Sequence, residues 1–214
     1  MHKGLKLITA PSDLAVDLDD VKNYLKVTGS AEDADITAFI YSATEVIERY
    51  LHRALLTQTW SLWLDRFPGS FNFDSLHDGV QEGKLSEYFQ GQSYIDIPLF
   101  PLQSVSFLKT YDDDGTAYTM SSSEYIVDTV SEPGRLSLKT STTWPSTELR
   151  PVNGIEIRFL AGYGTSSDIP QAIVQAIKDT VAKFYESRGC SDADQSIPST
   201  ALALLSAYRV YRIG

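Results

Sequence analysis

Apolar positions recur with two different periods along this chain. Ile36, Phe39, Ile40, Ala43, Ile47, Tyr50 and Leu51 repeat at helical spacing behind Asp33. That pattern predicts a helix of roughly five turns with one buried face. Upstream, 17–25 reads as a short helix whose first-turn carboxylates offset the positive end of the helix dipole, ended by Thr28-Gly29-Ser30. From Leu56 the period drops to two: Leu56, Gln58, Trp60, Leu62 and Leu64 alternate with Thr57, Thr59, Ser61 and Trp63, the pattern of a strand, until Phe67-Pro68-Gly69 stops it.

The stretch 70–93 is polar, rich in Gly and Ser, and has no clean period, which reads as a long loop or extended hairpin and a candidate contact segment. Strands are predicted at 94–97, 105–111, 117–120, 125–128, 135–138 and 155–160. Turn chemistry separates them at Pro98, Pro101, Asp114-Gly115, Pro133-Gly134 and Asn153-Gly154. Together they make a small antiparallel sandwich or barrel. After Gly164, an apolar stripe of Ile169, Ile173, Ala176, Ile177, Val181, Phe184 and Tyr185 predicts a long helix ending near Gly189, with Asp168 near its cap and Pro170 in its first turn. A polar linker at 191–196 leads to a shorter helix opened by Pro198 and carrying Leu202, Leu205 and Tyr208.

This order predicts an α+β fold, a helical module formed from the N- and C-terminal segments with an inserted antiparallel β-sandwich or barrel. The expected division is 1–55 for the first part of the helical module, 56–164 for the β domain and 165–214 for the second helical part with its tail. The junction from Ile155 to Tyr185 is where the sheet hands the chain back to the helices. Gly162, Tyr163, Gly164 and Pro170 form the expected strand-to-helix hinge.

Composition narrows the function classes. With 214 residues, 43% hydrophobic and 21% charged, the chain can build a sizeable core. No window approaches the ~18 consecutive apolar residues of a membrane span, and the first residues have no long apolar segment, so a protein made in the cytoplasm and not inserted in a membrane is expected. Cys190 is the single cysteine, which excludes an intrachain disulfide and a cysteine zinc site. The net charge of −10 has the wrong sign for gripping a phosphate backbone. Residues 56–165 alone carry fourteen Asp and Glu against seven Lys and Arg. An acidic surface of this kind can stand beside DNA without holding it.

Motifs that carry chemistry are sparse. Asp112-Asp113-Asp114-Gly115 lacks the alternating ligands and the distal Glu of a calcium loop, and reads as a hairpin turn. Gly162-Tyr163-Gly164 lacks the Lys and hydroxyl of a phosphate loop and the third glycine of a dinucleotide fingerprint. His2, His52 and His77 have no ligand spacing. No cofactor, metal or catalytic residue is therefore expected. Asp96 and Asp128 sit on predicted strands where a carboxylate pair could flank a glycosidic bond, but sequence does not give their separation.

The helical start, Leu55-Leu56-Thr57-Gln58-Thr59-Trp60, the segment Ile97-Pro98-Leu99-Phe100-Pro101-Leu102-Gln103-Ser104-Val105, and Ala161-Gly162-Tyr163-Gly164 through Ile169-Pro170 with its helix occur in an order that resembles a known family. The chain is similar, from Leu18 to Arg212, to the head-tail connector (adaptor) proteins of long-tailed double-stranded DNA phages, in the subgroup with a β insert. The resemblance implies a non-enzymatic virion protein in a ring of about twelve copies beneath the portal. Its partners would be the portal protein, a tail or stopper protein and further copies of itself, and DNA would pass through without tight binding. The C-terminal segment would dock on the portal. Tyr208, Arg209, Tyr211 and Arg212 combine residue types favoured at interface hot spots and are the expected contacts. Two other classes remain open on the residues alone. One is a carbohydrate- or receptor-binding β module using aromatics such as Trp63, Phe71, Phe73 or Trp144, and the other is a hydrolase using acidic residues with at least one raised pKa.

Overall fold

The computed structural model describes residues 3–68, 94–145, 148–188 and 196–209. The expected loop at 70–93 and the linker around Cys190 lie outside them. The described residues form an α+β fold with four α-helices and two antiparallel sheets. Element order is β1 (Lys3–Thr9), α1 (Leu18–Leu25), α2 (Asp33–Leu51), β2 (Gln58–Leu64), β3 (Tyr94–Asp96), β4 (Leu102–Tyr111), β5 (Ala117–Met120), β6 (Tyr125–Asp128), β7 (Arg135–Leu138), β8 (Ile155–Ala161), α3 (Gln171–Ser187) and α4 (Ser199–Leu205). The chain divides into two compact units. One gathers the described parts of Met1–Ile8, Thr59–Pro98 and Leu102–Leu160, and the other those of Thr9–Gln58, Leu99–Pro101 and Ala161–Gly214.

The helical unit is built around a continuous apolar core. Val21 from α1, Ile36, Ile40, Ala43, Ile47 and Leu51 from α2, Ile173, Ala176, Ile177 and Val181 from α3, and Ala201 and Leu205 from α4 are all buried in one cluster. These are the stripes that the helical period marks, and their meeting brings helices from both ends of the sequence onto a shared interior. Asp17 caps α1 by accepting from the amides of Asp19 (2.9 Å) and Asp20 (3.4 Å). The helix ends at Lys26, which takes a left-handed φ of 58° and returns its amide to the Asn23 carbonyl. The far end of α3 is tied to the start of α2, where Glu32 accepts from the Tyr185 hydroxyl at 2.5 Å and pairs with Arg188 at 3.2 Å.

The β unit contains a five-stranded sheet in the order β1-β2-β8-β4-β5 and a three-stranded sheet in the order β3-β7-β6. β4 and β5 form a hairpin with Tyr111 opposite Ala117. Its turn is the Asp112–Gly115 segment, with Gly115 at φ 81° and the Asp112 side chain accepting from the Thr116 amide at 2.7 Å. The triple aspartate is thus a hairpin turn in which Asp-Gly supplies the backbone angles. In the second sheet, Asp128 pairs in register with Arg135, as does Asp96 from the other side. β1 was not foreseen from the sequence pattern. Its residues 4–9 are all exposed, so no buried side chain imprints a period on them, and its strand conformation comes from its place beside β2.

Candidate functional site

Two places on the helical unit gather the residues singled out by sequence: the elbow that leads from β8 into α3, and the C-terminal tail. The elbow is a backbone-built corner. The Gly162 amide donates to the Pro101 carbonyl (2.9 Å) and the Tyr163 amide to Leu55 (3.1 Å), while the Gly164 carbonyl accepts from the Thr57 amide (3.0 Å). Gly162 and Gly164 have φ of 133° and 135°, where a side chain is strained. A Cβ on Gly162 would also overlap the carbonyl of Leu56, and one on Gly164 would come within 2.5 Å of Asp168 Oδ2. Glycine is required here by close backbone approach as well as by conformation.

Asp168 lies just ahead of the long helix, near its cap as expected, and Pro170, expected in the first turn, is the N-cap residue itself. Asp168 closes a separate 3₁₀ turn (Ser166–Asp168), accepting from the Thr165 hydroxyl at 2.7 Å and its amide at 2.8 Å. Those two bonds hold its carboxyl below the usual aspartate range. Pro170 then occupies the N-cap position of α3, where no backbone N–H is needed, and its carbonyl accepts from the amides of Ile173 and Val174.

The tail is anchored on the C-terminal end of α2. Arg53, nearly fully buried, donates from Nε to the Tyr208 carbonyl at 2.9 Å and lies 5.1 Å from the Phe100 ring centroid. The Arg209 guanidinium stands 4.6 Å over the ring of Tyr50. Tyr208 and Arg209 therefore have partners within the unit, whereas Tyr211 and Arg212 lie outside the described residues. Sequence reading missed Arg53 because a single cation following a helix carries no periodic signal. It also missed Glu48, whose Oε1 accepts from the Leu55 amide and from Gln58 Nε2, both at 2.7 Å, and so clamps the exit from α2. Burial pushes the Glu48 carboxyl up, partly offset by these two bonds.

In the β unit, the polar side chains converge on Glu156 of β8. Its carboxylate accepts from Ser61 Oγ of β2 (2.7 Å), the Tyr111 hydroxyl of β4 (2.8 Å) and Arg158 of its own strand (2.9 Å). Burial raises its pKa, but the three donors outweigh that and hold the carboxyl below the ordinary range. Ser61, Tyr111 and Arg158 thus favour the ionised form of this carboxyl. Asp128 is likewise committed: the Ser131 hydroxyl, Arg135 at 2.7 Å and the amides of Ser131 and Val130 all donate to it, and together they hold its carboxyl below the usual aspartate range. Trp63 packs against Tyr111 with Arg150 over both rings, and Trp144 stacks on Phe67 at 4.5 Å between centroids. Both tryptophans are thus engaged in contacts inside the unit, while Phe71 and Phe73 lie outside the described residues. Among the described residues, no group of three or more His, Cys, Asp or Glu is placed to hold a metal ion.

No curated protein matches the chain. Its fold is similar to a chain from the neck of an empty GTA particle computed with C6 symmetry, with 22% identity, a TM-score of 0.73, and 98% of this chain and 97% of that one covered. It is similar in the same way to a chain of the virion of a native gene transfer agent particle (21% identity, TM-score 0.73, coverage 98% and 96%). A third likeness is to a chain from the neck of a native GTA particle computed with C12 symmetry (21%, 0.70, 98% and 97%). The family model for head completion proteins matches residues 15–211, which takes in both helical segments and the whole sheet region between them, and the chain belongs to that family.

Proposed function

We propose that this chain, a structural virion component that connects head to tail as its family indicates, works as a ring between the portal and the tail and leaves a passage for DNA. The observation that carries the reading is the match of the head completion family across nearly the entire chain. The expected division, 1–55 and 165–214 as the helical module that builds the ring and 56–164 as the inserted β domain, would hold apart from β1, which belongs to the sheet. The shared apolar core of α1 to α4 supports that division. Tyr208, Arg209, Tyr211 and Arg212 would dock on the portal protein, the first two anchored through Arg53 and Tyr50 so that the end of the chain leaves from a fixed point. Gly162, Tyr163, Gly164 and Pro170 would serve as the strand-to-helix hinge. A tail or stopper protein would meet the opposite side of the ring.

The role needs no catalysis and no cofactor. An acidic balance of −10 suits a conduit, because DNA moving past it is repelled and not retained. Mixing the purified chain with the portal protein of its own particle tests the reading. Electron microscopy should show a ring added to one end of the portal, with a copy number matching the portal symmetry, since many weak contacts presented together bind far more strongly than one. A portal that remains bare at high chain concentration would contradict it.

A further inference from the structure

Among the described residues, the five-stranded sheet has two open edges of different character. β1 forms one edge, and its sequence KGLKLIT holds two lysines and no acid. Leu5, Leu7 and Ile8 are 41%, 40% and 39% exposed, and they include both alternating sides of the strand. β5 forms the other edge, with Ala117, Tyr118 and Thr119 exposed, and it begins at the turn that carries Asp112, Asp113 and Asp114. Unprotected strand edges bearing apolar side chains recruit further strands unless something covers them. Here one lysine-bearing edge and one aspartate-flanked edge belong to the same sheet.

We propose that the β1 edge of one copy pairs with the β5 edge of the next, so that the sheets of neighbouring copies join into a continuous β hoop. The pairing rests on the ring reading above and adds, beside the helical module, a second surface through which neighbouring copies meet. A ring needs two different patches that meet head to tail, and the two edges satisfy that requirement. Charge selects this pairing over the alternatives: β1 against β1 would face lysine with lysine, and β5 against β5 would bring the aspartate turns together. Size agrees as well. At the ~4.8 Å spacing of paired strands, twelve joined five-stranded sheets would make a hoop about 90 Å across, ample for a DNA passage. Main-chain hydrogen bonds would supply the affinity, and Leu5, Leu7, Ile8 and Tyr118 would gain cover.

Hydrogen exchange on assembled rings, together with charge reversal, tests the pairing. The wild-type chain, Lys6→Glu, Asp113→Lys/Asp114→Lys and the combination of all three substitutions would each be mixed with the portal protein, counted as rings by electron microscopy, and checked by circular dichroism for an unchanged fold. Amides of both 3–9 and 117–120 should exchange slowly in the ring and faster in the free chain. Reversal at either edge should cut ring yield about tenfold, and the combined variant should recover it. Wild-type rings in which either edge exchanges as fast as in the free chain would overturn the edge pairing and leave the ring intact. Absence of any wild-type ring would overturn both.

Discussion

The helical unit and the β unit solve the same problem in different ways. In the helical unit, buried polar side chains are satisfied close at hand: Thr180 bonds back to the Ala176 carbonyl of its own helix, and Arg53, Glu48 and Gln58 cluster where α2 ends. The interior between the helices is mostly aliphatic, with Phe184 at the end of α3, and burial of matched apolar surfaces holds it. In the β unit, a charged network reaches across three strands of the sheet, from Ser61 through Glu156 to Tyr111, with Arg158 beside it. Such a network is satisfied in one strand alignment only. A slip of one residue would strand Glu156 without donors, so the polar groups specify register where the helices rely on shape.

Substitutions at four positions separate these two modes. The three tryptophans, Trp60, Trp63 and Trp144, all belong to the β unit, so their fluorescence reports on it, while the far-ultraviolet helical signal reports on the other. The largest effect is expected from Gly162→Ala, which puts a Cβ into the Leu56 carbonyl at a φ that side chains avoid. It should cost about 4 kcal/mol or more, seen as an early loss of helical signal on heating. Next comes Ile177→Ala, which opens a cavity among fully buried neighbours in α2 and α3 and should cost about 3 kcal/mol, again in the helical signal.

Glu156→Ala should cost about 2 kcal/mol in the tryptophan signal, because Ser61, Tyr111 and Arg158 lose their shared acceptor. Its pH dependence has a definite sign. The folded carboxyl titrates below its unfolded value of about 4.3, so its stabilisation is complete above that pH and is lost as pH falls through the folded value. Glu156→Gln should flatten that acid loss. The smallest effect is expected for Glu48→Gln, which keeps an acceptor for the Leu55 amide and removes a buried charge; stability at neutral pH should change by less than about 0.5 kcal/mol. Glu48 titrates in the opposite sense. Its folded pKa is raised, so the cost of its charge appears as pH rises through the carboxylate range, and the glutamine variant should lose that dependence.

The contrast between the units also explains what was legible in the sequence. Helices and paired strands left their period in the apolar residues, so α2 and α3 and the strands β2, β3 and β5 to β8 fall close to where the pattern places them, while β4 starts at Leu102, ahead of the expected 105. β1 left none, because both of its sides are exposed. The elbow glycines were legible as a junction, but their close approach to Leu56 and Asp168 was not, since a missing Cβ shows no partner in sequence. Glu48, Arg53 and the Glu156 network escaped for a related reason. Each joins residues distant along the chain or isolated in type, and only the fold brings their partners within hydrogen-bond reach.

The central claim is positional, and imaging the neck of the particle that carries this chain tests it most directly. The account predicts a closed ring of this fold between portal and tail, with density for the C-terminal residues beyond Arg209 against the portal. Particles whose neck contains no copy of the fold, or in which the chain occupies the capsid shell or the tail tip, would contradict it.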